Sequence, residues 1–377
     1  FHRGLIINFL VQVFLSVLIY FSHFIFVLVG YEESLARNVR YYMLCNLPSN
    51  YLFMVFHTCN FYLVACRIFK PAAYMQMVSS LGGAAMAYYL IDKLKWGLEG
   101  AAFANATMNI LMVILMVTYI RITNPVPGSM FAPRRQSFTG LWKLFKHQVL
   151  VGSMIFVEWV GVEIIGLSTG LLSSDQVAAY PATLSAFQPF YTVPITLSNT
   201  LLTFIGSAMG EENVAQAKRY LVSGIVLSMT SAIICISVFL PLAHEIASLV
   251  LESPDAIDDS IRMIYIYLIC VPADFLQIVM GAGLRAIGKE KIGFYILVGS
   301  IYGIAIPLSF FLCFYMDMDM WGLVWGTNVG FYMIFILYTY VYMKTSWKLQ
   351  SYKISQKIER DSILASTNNA DAIAKRS

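Results

Sequence analysis

The sequence predicts an all-α polytopic membrane protein built from two copies of one helical unit. Three observations predict it. The 377 residues are 59% hydrophobic and only 12% charged, whereas soluble domains are about 45–50% apolar and about 25% charged. Apolar runs of spanning length, about 20 residues, occur ten times. Short motifs also recur in order at a fixed offset, which marks an internal duplication.

The runs lie near 4–29, 41–64, 71–91, 98–120, 148–172, 177–209, 220–243, 262–284, 292–315 and 321–343. The sixth is long and holds Pro181, Pro189 and Pro194. Proline inside a span breaks the backbone ladder and is tolerated where protein or a water-filled cavity re-satisfies it. With residue 1 on the cytoplasmic side and the spans alternating, 20 of the 25 Lys and Arg residues fall inside, and only Arg37, Arg40, Lys93, Lys95 and Arg262 fall outside. That asymmetry is the positive-inside signature. Glu32, Glu33, Asp255, Asp258, Asp259, Asp317 and Asp319 collect on the outer side.

The organisation follows: a first lobe over 1–120, a cytoplasmic linker over 121–147, a second lobe over 148–344 and a cytoplasmic tail over 345–377. The Pro and Gly of ITNPVPGSMFAP mark the linker, and SFTGLWKLFKH at its end predicts a short basic amphipathic helix at the membrane surface. The polar tail reads as a solvated, disordered segment. The six cysteines (Cys45, Cys59, Cys66, Cys235, Cys270 and Cys313) all fall in apolar runs without a CxxC pair, so neither disulfides nor a zinc site are expected. No signal peptide is visible, and the chain opens at Phe1 rather than Met, which suggests a fragment or processed chain.

The duplication is carried by WGLEGAAFAN at Trp96 against WGLVWGTN at Trp321, by YMLCNLPSNYL against YLICVPADFL, and by the acidic outer loops beside them, at offsets of 224–225 residues. The second copy holds six spans and the first only four. By this reckoning two helices, roughly 65–70 residues, precede residue 1. A six-helix unit keeps its orientation when duplicated, so the halves are parallel and substrate belongs between them.

IFVEWVGVEIIG, residues 155–166, poses the functional question, because it places two glutamates in an otherwise apolar span. A carboxylate near mid-membrane costs on the order of 2.5–3.5 kcal/mol on insertion scales. Away from the span ends, only Glu158, Glu163 and Asp274 are acidic, since Glu99 stands at the very start of the 98–120 run. Glu158 and Glu163 are five apart, hence about 140° around a helix and about 7.5 Å along it, and cannot share one site. Asp274 follows Pro272, where a perturbed helix can free backbone carbonyls for a cation. No Lys or Arg within the spans is available as partner, so an external cation is the natural one. A carboxyl in a dry site can hold a proton until an organic cation or water displaces it. At the 224 offset the counterpart of Asp274 is Asn50, which confines the acids to the second lobe.

Trp159, Tyr180, Phe187, Phe190 and Tyr191 are candidates for an aromatic wall around a cationic substrate, with Ser185, Asn199 and Asn50 as polar cavity positions. His57 in VFHTCN reads as a packing residue. GAGLRAIGKEK lacks the spacing and the preceding strand of a phosphate loop, so nucleotide binding is rejected, and no cofactor or nucleic-acid partner is expected. MDMDM at 316–320 offers too few ligands for a metal, and the sequon at Asn105 is buried in a span.

These residues resemble the multidrug and toxic compound extrusion (MATE) family, of the eukaryotic type. FVEWVGVEI is similar to its VEWWxxE signature. VPADFLQIVMGAGLRAIGKEK is similar to its acid…G-x-LR-G-x-G-K stretch, and YTVPITLSNTLLTFIGSAMGEENVAQAKR to its Y-x-x-P…G…A-K/R pattern. The resemblance implies twelve helices in two six-helix lobes. It also implies export of small organic cations in exchange for H+ (or Na+), with Glu158, Glu163 and Asp274 at the acidic positions, in the plasma membrane or a vacuolar or other endomembrane. The sequence departs from the pattern at Val160, Ser185 and Phe204, which bears on substrate range. Other readings are a sodium-coupled exporter, a lipid-type flippase, which expects cationic residues in its cavity, and a degenerate non-transporting membrane subunit.

Overall fold

A computed structural model describes residues 2–29, 33–125, 138 and 140–374. It is all-helical, with no strand among the described residues. Glu32 of the outer loop and Arg134 and Arg135 of the linker lie outside the described residues. The chain forms two compact units, Phe1–His147 and Gln148–Ser377.

Every predicted span falls on helix. In the first unit these are α1 (His2–Tyr20), α2 (Ser22–Val29), α3 (Glu33–Cys45), α4 (Leu47–Ala65), α5 (Lys70–Ala87), continued by a π-helical turn Tyr88–Lys93, and α6 (Gly97–Thr123). The second unit has α7 (Leu141–Ser168), which begins in the linker, then α8 (Ser174–Gly210), α9 (Val214–Ser248) and α10 (Pro254–Ala286). They are followed by α11 (Glu290–Ser300) and α12 (Ile306–Phe310), each extended by a π-helical segment, and by α13 (Asp319–Lys344) and α14 (Trp347–Ala374). Seven of the ten spans are single helical stretches long and apolar enough to cross a membrane by length and composition. The other three fall on α4, α5 and α8, which carry more Asn, His, Ser, Gln and Pro.

Pro181, Pro189 and Pro194 sit inside one continuous helix, since α8 runs unbroken for 37 residues. Three expectations need correction. The predicted separate amphipathic helix is instead the start of α7, where Trp142 stacks on Phe145 at 5.6 Å. The tail is helical rather than disordered over Trp347–Ala374. Pro272 does not open α10. The helix is continuous, and side chains from neighbours reach its carbonyls: Ser228 Oγ donates to Phe275 O (2.9 Å), Asn328 Nδ2 to Ile266 O (2.9 Å) and Tyr332 OH to Ile269 O (2.7 Å).

The duplication is visible in the turns. After α4, Cys66, Arg67 and Ile68 donate to the carbonyls of Tyr62, Val64 and Leu63; after α10, Ile287, Gly288 and Lys289 donate to Gly283, Arg285 and Leu284. Both turns put one residue in the left-handed region, Arg67 at φ 61° and Gly288 at φ 73°. At the other end, Leu94, Trp96 and Gly100 bond as Met316, Met318 and Gly322 do, each after a π-helical turn. These matches set the register at 221–222, not 224–225, because short motifs containing Trp and Pro slip by three residues while the turns do not. Trp96 therefore corresponds to Met318, and Asp274 to Phe53 rather than Asn50.

α10 is the buried centre of the second unit, packed against α8, α9 and α13. Phe187 and Phe239 stack at 4.0 Å in the core, a pair of the kind that adds about 0.5–1.5 kcal/mol beyond its buried area. α13 comes close to the α11–α12 segment because Gly322, Gly326 and Gly330 carry no side chain: a Cβ at Gly322 would sit 2.4 Å from the Cys313 nitrogen. Small residues at such seams are what let helices approach in membranes.

Candidate functional site

Three helices place the site. α7 supplies Glu158, α8 supplies Tyr191, and α10 supplies Tyr267, Asp274 and Gln277. On α10 these three fall on one face, because positions seven and three residues from Asp274 return to the same side of a 3.6-residue helix.

Asp274 is 1% exposed and receives three donors. Tyr191 OH donates to Oδ2, Tyr267 OH to the same oxygen at 3.3 Å, and Gln277 Nε2 to Oδ1 at 3.2 Å. The Tyr191 and Tyr267 hydroxyls also touch each other. Gln277 Nε2 then reaches across to α7 and donates to Glu158 Oε1 at 2.7 Å. One carboxamide group thus joins the two acids. Glu158 is half-buried, and among the described residues it has this hydrogen bond alone and neither carboxylate forms a salt bridge. Arg285 is half-buried two turns further along α10 from Gln277.

The arrangement is a chain of exchangeable hydrogens, Tyr267–Tyr191–Asp274–Gln277–Glu158, that passes from core to a half-open position. Bonds to charged acceptors are worth about 1.5–3 kcal/mol each, so Asp274 recovers much of its burial cost while Glu158, with one donor, recovers less. Glu158 is the group left with capacity for a proton or a cation.

The other candidates separate from this chain. Glu163 is exposed and forms no hydrogen bond from its side chain among the described residues. Trp159 is 49% exposed. Tyr180 is buried against Gly166. The Ser185 hydroxyl is exposed and turns back to the Pro181 carbonyl at 2.7 Å. Asn199 is half-buried, with no hydrogen bond from its side chain among the described residues. Asn50 belongs to the first unit, where it lines a cavity of about 460 Å³ with Gln12, Ser22, Met43 and Phe53. Phe187 is a correction: it is fully buried between Phe239 and Tyr267, as a core residue. Tyr191 also takes a different part from the one expected, since its hydroxyl, not its ring face, carries the contact. Gln277 and Tyr267 were missed. The signal was present in PADFLQ, where Gln277 sits one turn from Asp274, but its use requires α7 to be placed against α10.

Residues 151–311 match the MatE family model. Among curated proteins, the chain is 23% identical over 363 residues to Protein DETOXIFICATION 14 of Arabidopsis thaliana, covering 96% of this chain and 75% of that protein. It is 24% identical over 290 residues to Multidrug and toxin extrusion protein 2 of Homo sapiens, covering 75% of this chain and 48% of that one. Among solved structures, the eukaryotic MATE transporter AtDTX14 superposes with TM-score 0.88 at 22% identity, over 95% of this chain and 80% of that one. The Vibrio cholerae MATE transporter VcmN in its bent form superposes with TM-score 0.69 at 15% identity, over 94% and 80%. The fold is the MATE fold, and the matched model spans every residue of the Glu158–Asp274 chain. The chain is a multi-pass membrane protein with the fold of MATE transporters, and its residues 151–311 match the MatE family model.

Proposed function

We propose that the protein exports small organic cations in exchange for protons, with Glu158 and Asp274 as the exchanging pair. The observation that carries this reading is the Gln277 amide hydrogen-bonded to both acids at 2.7 and 3.2 Å. A proton on either carboxyl is sensed by the other through this bridge. Glu158, half-buried and singly bonded, is the position at which an organic cation competes with the proton. Asp274, enclosed by two tyrosines, is the deeper store. A cation arriving at Glu158 supplies the positive charge that the proton supplied, so binding of one releases the other.

Proton coupling is favoured over sodium coupling by the atoms that face the acids. Sodium requires a shell of oxygen acceptors, whereas the Asp274 carboxylate is met by two hydroxyl donors and an amide N–H. The test is uptake of tetraethylammonium by proteoliposomes under an imposed pH gradient. Uptake that collapses with the gradient supports the proposal. Uptake driven by a sodium gradient alone, or none from folded protein under either gradient, overturns it in favour of the sodium-coupled, flippase or non-transporting readings.

A further inference from the structure

α14 has two unlike faces. One is seated on the second unit. Trp347 is 8% exposed and stacks on Tyr342 at 5.8 Å, with Lys218 Nζ 5.7 Å from its ring centre. Ser351, 2% exposed, donates to the Met209 carbonyl in the last turn of α8 at 2.7 Å. Ile354 packs into the core cluster, and Ile358, 55% exposed, lies at the edge of this face, 3.0 Å from where a Cβ on Gly210 would be. Positions 347, 351, 354 and 358 form one stripe along the helix.

The opposite face carries Leu349, Lys353, Lys357 and Arg360, at spacings that also keep them together, and the flank between the faces carries Lys348, Tyr352 and the acidic Glu359. All seven are exposed, Leu349 and Tyr352 by 50% and 53%. None of Lys348, Lys353, Lys357 and Arg360 is in an ion pair among the described residues. α14 starts only two residues after α13 ends at Lys344, where Met343 is 81% exposed. The cationic stripe therefore runs from the mouth of a spanning helix, over about 18 Å, on the side that the positive-inside bias makes cytoplasmic.

We propose that this face of α14 docks on anionic phospholipid headgroups of the cytoplasmic leaflet. The pattern of unpaired Lys and Arg interleaved with an exposed Leu and Tyr fits that surface. The charges meet the headgroups, and the apolar and aromatic side chains enter the boundary between headgroups and acyl chains. Because the other face is locked to the end of α8 through Ser351 and Met209, the docked helix holds the inner end of a site-bearing helix to the membrane surface.

The test is hydrogen exchange of the purified full chain in nanodiscs of phosphatidylcholine alone and of phosphatidylcholine with phosphatidylserine. Amides of residues 348–360 should exchange about tenfold more slowly with phosphatidylserine, and the difference should vanish at high salt. The triple substitution Lys353→Gln, Lys357→Gln, Arg360→Gln should exchange at the phosphatidylcholine rate in both discs, while α10 amides stay unchanged and report an intact fold. Equal rates for the unmodified chain in the two discs, or a triple variant that keeps the difference, would overturn the proposal.

Discussion

Replacing Gln277 by Leu removes the one group among the described residues that hydrogen-bonds to both acids, and leaves the local volume nearly unchanged. The bond to Glu158, at 2.7 Å, is short and to a charged acceptor, while the bond to Asp274, at 3.2 Å, is near the limit of good geometry. With about 2 kcal/mol for the first and about 1 for the second, taken from the range for charged acceptors, the bridge is worth about 3 kcal/mol. At 1.36 kcal/mol per decade, that is on the order of a hundredfold in any step that uses the pair. The assay is the initial rate of gradient-driven cation uptake per folded transporter, beside thermal unfolding in detergent. Ser228→Ala is the control. It deletes a hydrogen bond to α10 of similar length, at Phe275 O (2.9 Å), without touching either acid. Gln277→Leu is expected to lose transport about a hundredfold, and Ser228→Ala to lose stability alone. Uptake by Gln277→Leu within twofold of the unmodified protein would refute the bridging role.

Tyr191→Phe and Tyr267→Phe should each weaken transport, and the double substitution should cost less than the sum, because both hydroxyls meet one Asp274 oxygen and each other; a double-mutant cycle of uptake rates measures the shortfall. Phe187→Ala should destabilise the fold by about 3–5 kcal/mol without altering apparent cation affinity, checked by unfolding and by uptake at varied substrate. Gly322→Ala should sharply lower the yield of folded protein, since its Cβ would meet the Cys313 and Leu312 backbone at 2.4–2.5 Å. Size-exclusion recovery reads that loss.

Much of this was legible in the chain. Carboxylates in apolar spans are costly enough to stand out, so Glu158 and Asp274 could be found without a structure. Hydropathy alone placed ten runs that all fall on helix, seven of them long and apolar enough to cross a membrane. What could not be read was which helix faces which. Gln277 and Tyr267 are ordinary residues until α7 and α8 are laid against α10, and Phe187 looks like Tyr191 until burial separates them. The tail misled because its composition is polar, yet four positions one helical face apart suffice to seat it. The repeat register slipped by three because Trp and Pro draw the eye, whereas the turn hydrogen bonds that fix the true register leave little trace in residue type.

The most direct test of the account is proton release when a saturating organic cation is added to the purified protein in weakly buffered solution. The unmodified chain should release protons in step with cation bound, and Glu158→Gln, a substitution that cannot ionise, should bind without release or fail to bind. Proton release by Glu158→Gln equal to that of the unmodified chain would contradict the account, and so would cation binding by the unmodified chain with no release at all.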